Sequence, residues 1–262
     1  LADAGLLTTA GRGGYELSEA GRELTAERPS GAPDPAAGLL LEARSIASHL
    51  ELATTLRTGT PADDVSSGDE AARTRFMKAM RTVAAPRVPD TVAAVGPPVG
   101  GGRLLDIGGA PGSYAVGFAG VGWDVTVMDL PDTLRAGAAW LEEEGVHLRP
   151  GDASEGVPDG PWDVVYLGNL LHLLAPGDAA LLIARAAARI APGGLLAVQE
   201  VLGDLAPQGA RFGVMMLVST PGGDAYPEGD YRRWMAAGRV PVERVVALDG
   251  GEHHLLLGRR EP

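Results

Sequence analysis

From Gly102 onward four short apolar runs recur, RLLDIGG, WDVTVMDL, WDVVYLGN and GGLLAVQEV, separated by stretches rich in Ala and Leu with helical character. A strand that is apolar along its whole length is buried on both faces, and such strands alternating with helices make a doubly wound parallel sheet. The final stretch, VERVVALDGGEHHLLLGRR, reads as an antiparallel hairpin that completes the sheet.

The residues before Gly102 have a different texture. GLLTTAGRGGYELSEAGREL predicts two short extended pieces around Gly13-Gly14, then a helix capped near Ser18, the outline of a partial winged helix. Pro29 to Pro35 is rich in Pro, Gly and Ser and predicts a loop. LLLEARSIASHLELATTLRTG and DEAARTRFMKAMRTVAA predict helices, the second with Phe76 and Met80 on one face. PRVPDTVAAVGPPVGGG is dense in Pro and Gly, and its C-terminal half is the expected boundary between a mainly helical domain, 1–95, and a sheet domain, 96–262.

Composition narrows the functions available. The 262 residues, 45% hydrophobic and 21% charged, suffice for one large core or one and a half. No window approaches the run of about 18 apolar residues that a membrane helix needs, and the opening residues show no basic region leading an apolar one. We expect a cytoplasmic protein with no membrane partner. The chain has no cysteine, which excludes disulfides, thiolate metal sites and a cysteine nucleophile. A net charge of -12 repels polyanions, and no basic patch offsets it, so no nucleic-acid partner is expected.

Ligands of a doubly wound sheet sit beyond the carboxyl ends of its strands, which puts the turn of LLDIGGAPGSYA at the site. Its glycines let backbone approach a ligand closely and leave helix N-terminal amides free. A dinucleotide fingerprint needs glycines where Gly108, Ala110 and Ser113 stand, and only the first matches; the Gly-Lys-Ser/Thr ending of a phosphate loop is absent. What remains is an acid, Asp106, placed ahead of the glycines, which suits a ligand with a positive amino group. The second strand ends in Asp129, and a carboxylate there can accept both hydroxyls of a ribose. Two such acids ask for a nucleoside carrying an ammonium group, and S-adenosylmethionine (SAM) is such a molecule.

LLDIGGAPG, VMDLP, GDASEGVP, YLGNLLHLL, IAPGGLLAVQEV and MMLVSTPGGDAY, in that order, resemble the class I SAM-dependent methyltransferases. More narrowly they resemble the small-molecule O-methyltransferases of plant secondary metabolism and their actinobacterial relatives. The N-terminal wing and TRFMKAM resemble the same family, so the likeness spans almost the whole chain. It implies a Rossmann-like SAM-binding sheet, S-adenosylhomocysteine as product, and a first domain that builds an intertwined homodimer and covers part of the acceptor pocket.

Residue by residue, the resemblance assigns the cofactor to Asp106, Gly108, Gly109, Ala110, Gly112, Asp129, Leu130, Asp152, Ala153, Gly168 and Asn169. The competing readings are a plain Rossmann turn, a strand-end acid capping the helix that starts at Pro131, and an ordinary turn at GDAS. His172 matches the catalytic histidine, and imidazole is a suitable base for a phenol-type hydroxyl near neutral pH. Its alternative is a core histidine. Glu200 matches the first of two acids that flank the base. The second falls at Ala225, with Asp224 one residue early. Either Asp224 substitutes through a small backbone shift, or the base is less well oriented and the chemistry differs from simple O-methylation. Phe76, Met80, Met215 and Met216 match acceptor-lining positions, with core packing as the alternative for each. His253-His254 in the terminal hairpin reads as a surface turn or the start of a strand, and the expected enzyme is metal-independent.

Three functions follow for comparison. The first is a dimeric SAM-dependent O-methyltransferase acting on a small aromatic or polyketide-like acceptor, in the manner of antibiotic biosynthesis. The second keeps bound SAM but catalyses hydroxylation, decarboxylation or cyclisation, because Ala110, Leu173-Leu174 and Ala225 depart from the family pattern. The third, a winged-helix regulator with a ligand domain, requires a basic recognition helix ahead of the wing, and LADAG carries an acid and no cation.

Overall fold

The computed structural model describes residues 4–29, 32–61, 70–137 and 139–261. It opens with a hairpin, β1 (Leu7–Ala10) and β2 (Gly14–Leu17), paired antiparallel across a short helical turn at Gly11–Gly13. Helix α1 (Glu19–Thr25) follows, and Ser18 caps it by accepting the Gly21 N–H at 3.0 Å. The sequence therefore located the hairpin, the turn and the cap.

Helices α2 (Pro35–Leu50), α3 (Leu52–Thr58) and α4 (Glu70–Ala84) come next. Asp34 caps α2 through the Ala36 and Ala37 N–H groups. Gly59, at φ +70°, ends α3 in the left-handed conformation. One helix, α5 (Val88–Val95), lies inside the Pro- and Gly-dense stretch PRVPDTVAAVGPPVGGG and was not foreseen. Its Pro89 sits in the first turn, where a missing N–H costs nothing, so proline begins the helix instead of breaking it. Val92 of α5 already packs into the core beneath the sheet.

The sheet has seven strands in the order β5-β4-β3-β6-β7-β9-β8. In chain order its elements are β3 (Gly102–Ile107), α6 (Ser113–Gly120), β4 (Trp123–Asp129), α7 (Pro131–Gly137), β5 (His147–Pro150), β6 (Trp162–Gly168), α8 (Pro176–Ala188), β7 (Ile190–Glu200), α9 (Gly209–Ser219), α10 (Glu228–Ala237), β8 (Val242–Leu248) and β9 (His253–Arg259). Strands β3 to β7 are parallel, and β9 inserts antiparallel between β7 and β8. The expected terminal hairpin is therefore present. Short β5, at the edge and without an apolar run, was not foreseen.

Alternation along the strands divides the core. Leu105, Ile107, Val165, Leu167, Leu196 and Val198 face α8 and α10. Leu104, Val164, Tyr166, Leu195 and Ala197 face α5 and α6. The chain starts its sheet in the middle, at β3, moves outward through β4 and β5, then returns to β6 on the other side. This makes β3 and β6 the switch point, where strand ends open into a crevice. The helical region docks over it. Met77 of α4 lies against Gly137, Arg81 donates to the Gly137 carbonyl at 3.0 Å, and α2 packs on both α4 and α9.

Candidate active site

Four strand ends converge at the crevice. At β3, Asp106 is buried, and its Oδ2 has no hydrogen-bond partner. Burial first, and then the nearby Asp129 charge, push its pKa up to about 8. Above it runs the glycine turn. Gly108 takes φ +71° and Gly112 φ +91°, conformations that side chains disfavour. A Cβ at Gly109 would stand 2.5 Å from the Asp106 carboxyl carbon, and one at Gly108 would stand 2.9 Å from Leu170. Gly108 and Gly112 are thus favoured by dihedral angle, and Gly109 by its contact with Asp106.

At β4, Asp129 is half-buried. Its Oδ2 accepts the Ala110 N–H at 3.1 Å and its Oδ1 accepts the Leu130 N–H at 2.7 Å. Burial raises its pKa to about 6 against the opposing pull of those two bonds. The capping alternative for Asp129 is therefore partly realised, yet the same carboxylate also fixes the glycine turn, and each oxygen keeps a lone pair for a further donor. Beyond the next strand, Asp152 is exposed and accepts the Ser154 N–H at 2.8 Å, while Ala153 packs against the core. Gly151 donates to the Asp129 carbonyl at 3.0 Å, which brings this loop beside Asp129. Leu130 is exposed.

At β6, Gly168 is half-buried, and Asn169 takes φ 55° while its N–H bonds the Gln199 carbonyl at 2.8 Å. His172 lies one short turn later, buried, with Nδ1 2.5 Å from Oε2 of Glu200 at the end of β7. The other Glu200 oxygen accepts the N–H groups of Leu170 at 3.0 Å and Leu171 at 2.7 Å. A carboxylate held this way accepts a hydrogen bond from Nδ1–H and leaves Nε2 as the basic nitrogen. Leu170 touches the glycine turn and Leu171 bonds Glu200, so two consecutive residues tie the cofactor side to the imidazole.

Two expectations need correction. Asp224 donates its backbone N–H to the His172 carbonyl at 3.1 Å, but its exposed carboxylate accepts the Ala225 N–H at 2.7 Å. The carboxylate lines a cleft of about 590 Å³ alongside α9, with Gly213 and Val214, and makes no bond to the imidazole. The backbone does not shift by the one residue that substitution for Ala225 requires. Of the methionine pair on α9, Met216 is 3% exposed and belongs to the packed interior. Met215 is half-buried and receives the Ser45 hydroxyl of α2 on its sulfur at 3.4 Å. Phe76 and Met80 are half-buried on α4, next to α2.

Phe212 was missed. Its ring meets the His172 imidazole edge to face, with centroids 4.9 Å apart and planes at 84°. One turn before Met215, it belongs to the same aromatic and thioether face of α9, and that spacing was the available signal. Of the two readings of the hairpin histidines, the start of a strand holds, since β9 begins at His253. His254 is buried in β9, and His253 pairs with Asp249 at 3.0 Å. Among the described residues, no three His, Asp or Glu side chains gather as a metal site.

The residues fit a nucleoside bearing an amino acid. Glycine lets the turn lie directly against Asp106, whose buried Oδ2 has no partner within the chain.

A family model described as a methyltransferase domain matches residues 75–244. A comparison with curated proteins finds no match. Among solved structures, the chain is similar to an O-methyltransferase family protein from Burkholderia thailandensis, at 22% identity and a TM-score of 0.84 over 100% of this chain and 81% of that one. It is similar to mitomycin 7-O-methyltransferase MmcR at 23% identity and a TM-score of 0.77, over 99% and 81% of the two chains. It is also similar to human N-acetylserotonin methyltransferase, solved with SAM, at 22% identity and a TM-score of 0.78 over 100% and 81%. At these identities the likeness establishes the fold.

Proposed function

The chain belongs to the methyltransferase-domain family, and from that premise we propose that it moves a methyl group from SAM to a hydroxyl of a small, flat, largely apolar acceptor. The observation that carries this reading is the Glu200–His172 pair at 2.5 Å, set one residue pair away from the glycine turn. SAM supplies an electrophilic methyl group on a sulfonium, so the chain has only to align the acceptor and remove its proton. Asp106 takes the ammonium, Asp129 the ribose hydroxyls, and the Asp152-Ala153 loop flanks the base. Gly108, Gly109, Ala110 and Gly112 allow close approach, with Leu130, Gly168 and Asn169 bordering the same cleft. His172 Nε2 accepts the hydroxyl proton, and Glu200 holds the ring in the tautomer this needs.

Phe76, Met80, Met215 and Phe212 supply the apolar side of the acceptor pocket, covered by α2. We read residues 1–95 as the domain that builds this cover and a homodimer. Supporting the dimer, Leu39, Leu40, Ile46 and Leu50 on α2 and Leu56 on α3 are all exposed, an apolar surface that a lone chain would leave in water.

The test is to incubate the protein with SAM and a panel of phenolic acceptors, following S-adenosylhomocysteine and methylated product together. Both should appear in equal amounts. An acceptor that is converted without gaining a methyl group would instead establish the non-methylating reading.

A further inference from the structure

Tyr166 belongs to no role assigned so far. It stands beside Asp106 across the β3–β6 pairing, on the same face of the sheet, and is 1% exposed. Its ring packs against Tyr114 and Phe118, each at 5.3 Å between centroids, yet its hydroxyl has no hydrogen-bond partner. That hydroxyl leans toward the carboxyl end of β6, because a Cβ at Gly168 would stand only 2.5 Å from it. Glycine at 168 thus leaves room for the phenol of Tyr166 in the way that glycine at 109 leaves room for the carboxyl of Asp106.

Burying a polar group without a partner costs roughly 1–3 kcal/mol. Among the described residues, Asp106 Oδ2, Tyr166 OH and Ser113 Oγ are all without one: Asp106 and Tyr166 are partners across the β3–β6 pairing, and Ser113 opens the helix that follows the glycine turn. Such a cluster is what a site looks like when its partners come from a ligand. Its chemistry is specific. Asp106 offers a carboxylate acceptor; Tyr166 offers an O–H donor, which burial and the neighbouring Tyr114 and Asp106 keep protonated. An acceptor and a donor side by side, on strands about 4.8 Å apart, match the ammonium and the carboxylate of one α-amino acid. Both oxygens are covered, and Gly109 and Gly168 are the glycines that lie against them.

We propose that Tyr166 binds the cofactor, its phenol donating to the α-carboxylate of the aminoacyl end while Asp106 takes the ammonium. This rests on the SAM reading above. Because Gly109 and Gly168 lie against the two oxygens, the proposal requires the glycine turn to shift when the aminoacyl group binds.

The experiment compares wild type with Tyr166→Phe in calorimetric titrations of S-adenosylhomocysteine and of 5′-methylthioadenosine, which has the nucleoside but no amino acid. Thermal unfolding is measured without ligand. Losing a hydrogen bond to a charged group should weaken S-adenosylhomocysteine about tenfold or more. Methylthioadenosine should bind the variant as it binds wild type. Because the variant deletes an unpartnered hydroxyl, its ligand-free thermal midpoint should be unchanged or higher, whereas a structural role predicts a fall. Unchanged S-adenosylhomocysteine affinity, equal weakening of both ligands, or a lower midpoint overturns the proposal. Wild type that binds neither ligand overturns the SAM reading itself, and this inference with it.

Discussion

At the end of β7, Glu200 is saturated: two backbone N–H groups and one imidazole nitrogen occupy its oxygens, and it is 0% exposed. At the end of β3, two strands away, Asp106 is equally buried and has an oxygen that nothing satisfies. Both are carboxylates in the same sheet, yet one is finished and the other is not. The difference separates two tasks. A group that must orient a base has to be rigid before the acceptor arrives, whereas a group that must recognise a charge can stay unsatisfied until that charge arrives. The saturated half should therefore govern rate and stability, and the unsatisfied half should govern cofactor affinity at the expense of stability.

The sharpest break of this comparison is at the base. His172→Ala should lower the rate of methyl transfer by about 10²–10⁴-fold, the usual contribution of a positioned base. Its affinity for S-adenosylhomocysteine should stay within about threefold of wild type, because no cofactor-side bond passes through the imidazole. Calorimetry and single-turnover rates measure the two separately, and a large loss of affinity would mean that the halves are not independent.

Substituting each carboxylate comes next in size, with opposite signs expected. Glu200→Leu leaves the N–H groups of Leu170 and Leu171 and the His172 Nδ1–H without an acceptor, at roughly 1–3 kcal/mol for each group that stays buried. For a chain of this size each kcal/mol lowers the thermal midpoint by about 2–4 °C. Asp106→Asn removes a buried acid whose ionisation the fold opposes, so the ligand-free midpoint should rise while S-adenosylhomocysteine affinity falls. If both variants unfold earlier, Asp106 is a structural residue and the contrast fails.

Acidity sharpens the same contrast. The Asp106 pKa in the fold, about 8, lies above the roughly 3.9 of an unfolded aspartate, so the folded state holds the proton more tightly. Between about pH 4 and 8 the unfolded chain has lost a proton that the fold retains, and stability falls as pH rises through that window. Asp129, raised to about 6, adds a change of the same sign over the lower part. Affinity for S-adenosylhomocysteine runs the other way, because its ammonium needs the ionised carboxylate, and should increase from pH 6 to 8. Asp106→Asn should flatten both slopes. Denaturant midpoints and titrations across that range check them, and a pH-independent affinity in wild type would remove Asp106 from ammonium binding.

The two halves also differ in how much of them the sequence makes legible. Asp106, Asp129, His172 and Glu200 sit at or just beyond the ends of strands whose apolar runs mark them, so topology alone places them at one crevice. Strand β5 escapes because four residues at a sheet edge need no apolar run, and α5 escapes because Pro86 and Pro89 look like a break. Phe212 and Tyr166 escape for a different reason. Each owes its place to a contact between elements far apart in sequence, Phe212 with His172 and Tyr166 with Gly168 and Asp106, and apolar periodicity explains both residues without it. Periodicity reports which side chains are buried, and it does not report which buried polar atom lacks a partner.

The smallest expected effect concerns Asp224, and its smallness is informative. If the base needed a second carboxylate, Asp224 would be the candidate the sequence offers, and Asp224→Ala would cost rate on the scale of a lost orienting acid. Among the described residues the Asp224 carboxylate bonds only the N–H of Ala225, and the contact with His172 is made by its backbone N–H, which alanine retains. The variant should therefore keep its rate within about threefold, the size expected for a partly exposed hydrogen bond of about 0.5 kcal/mol. A loss of a hundredfold would mean that the loop at Gly222-Gly223 closes on acceptor binding and carries Asp224 onto the imidazole. The base would then be assembled by the acceptor, not preset by Glu200, and the division between a finished half and an unfinished half would have to be redrawn through the base itself.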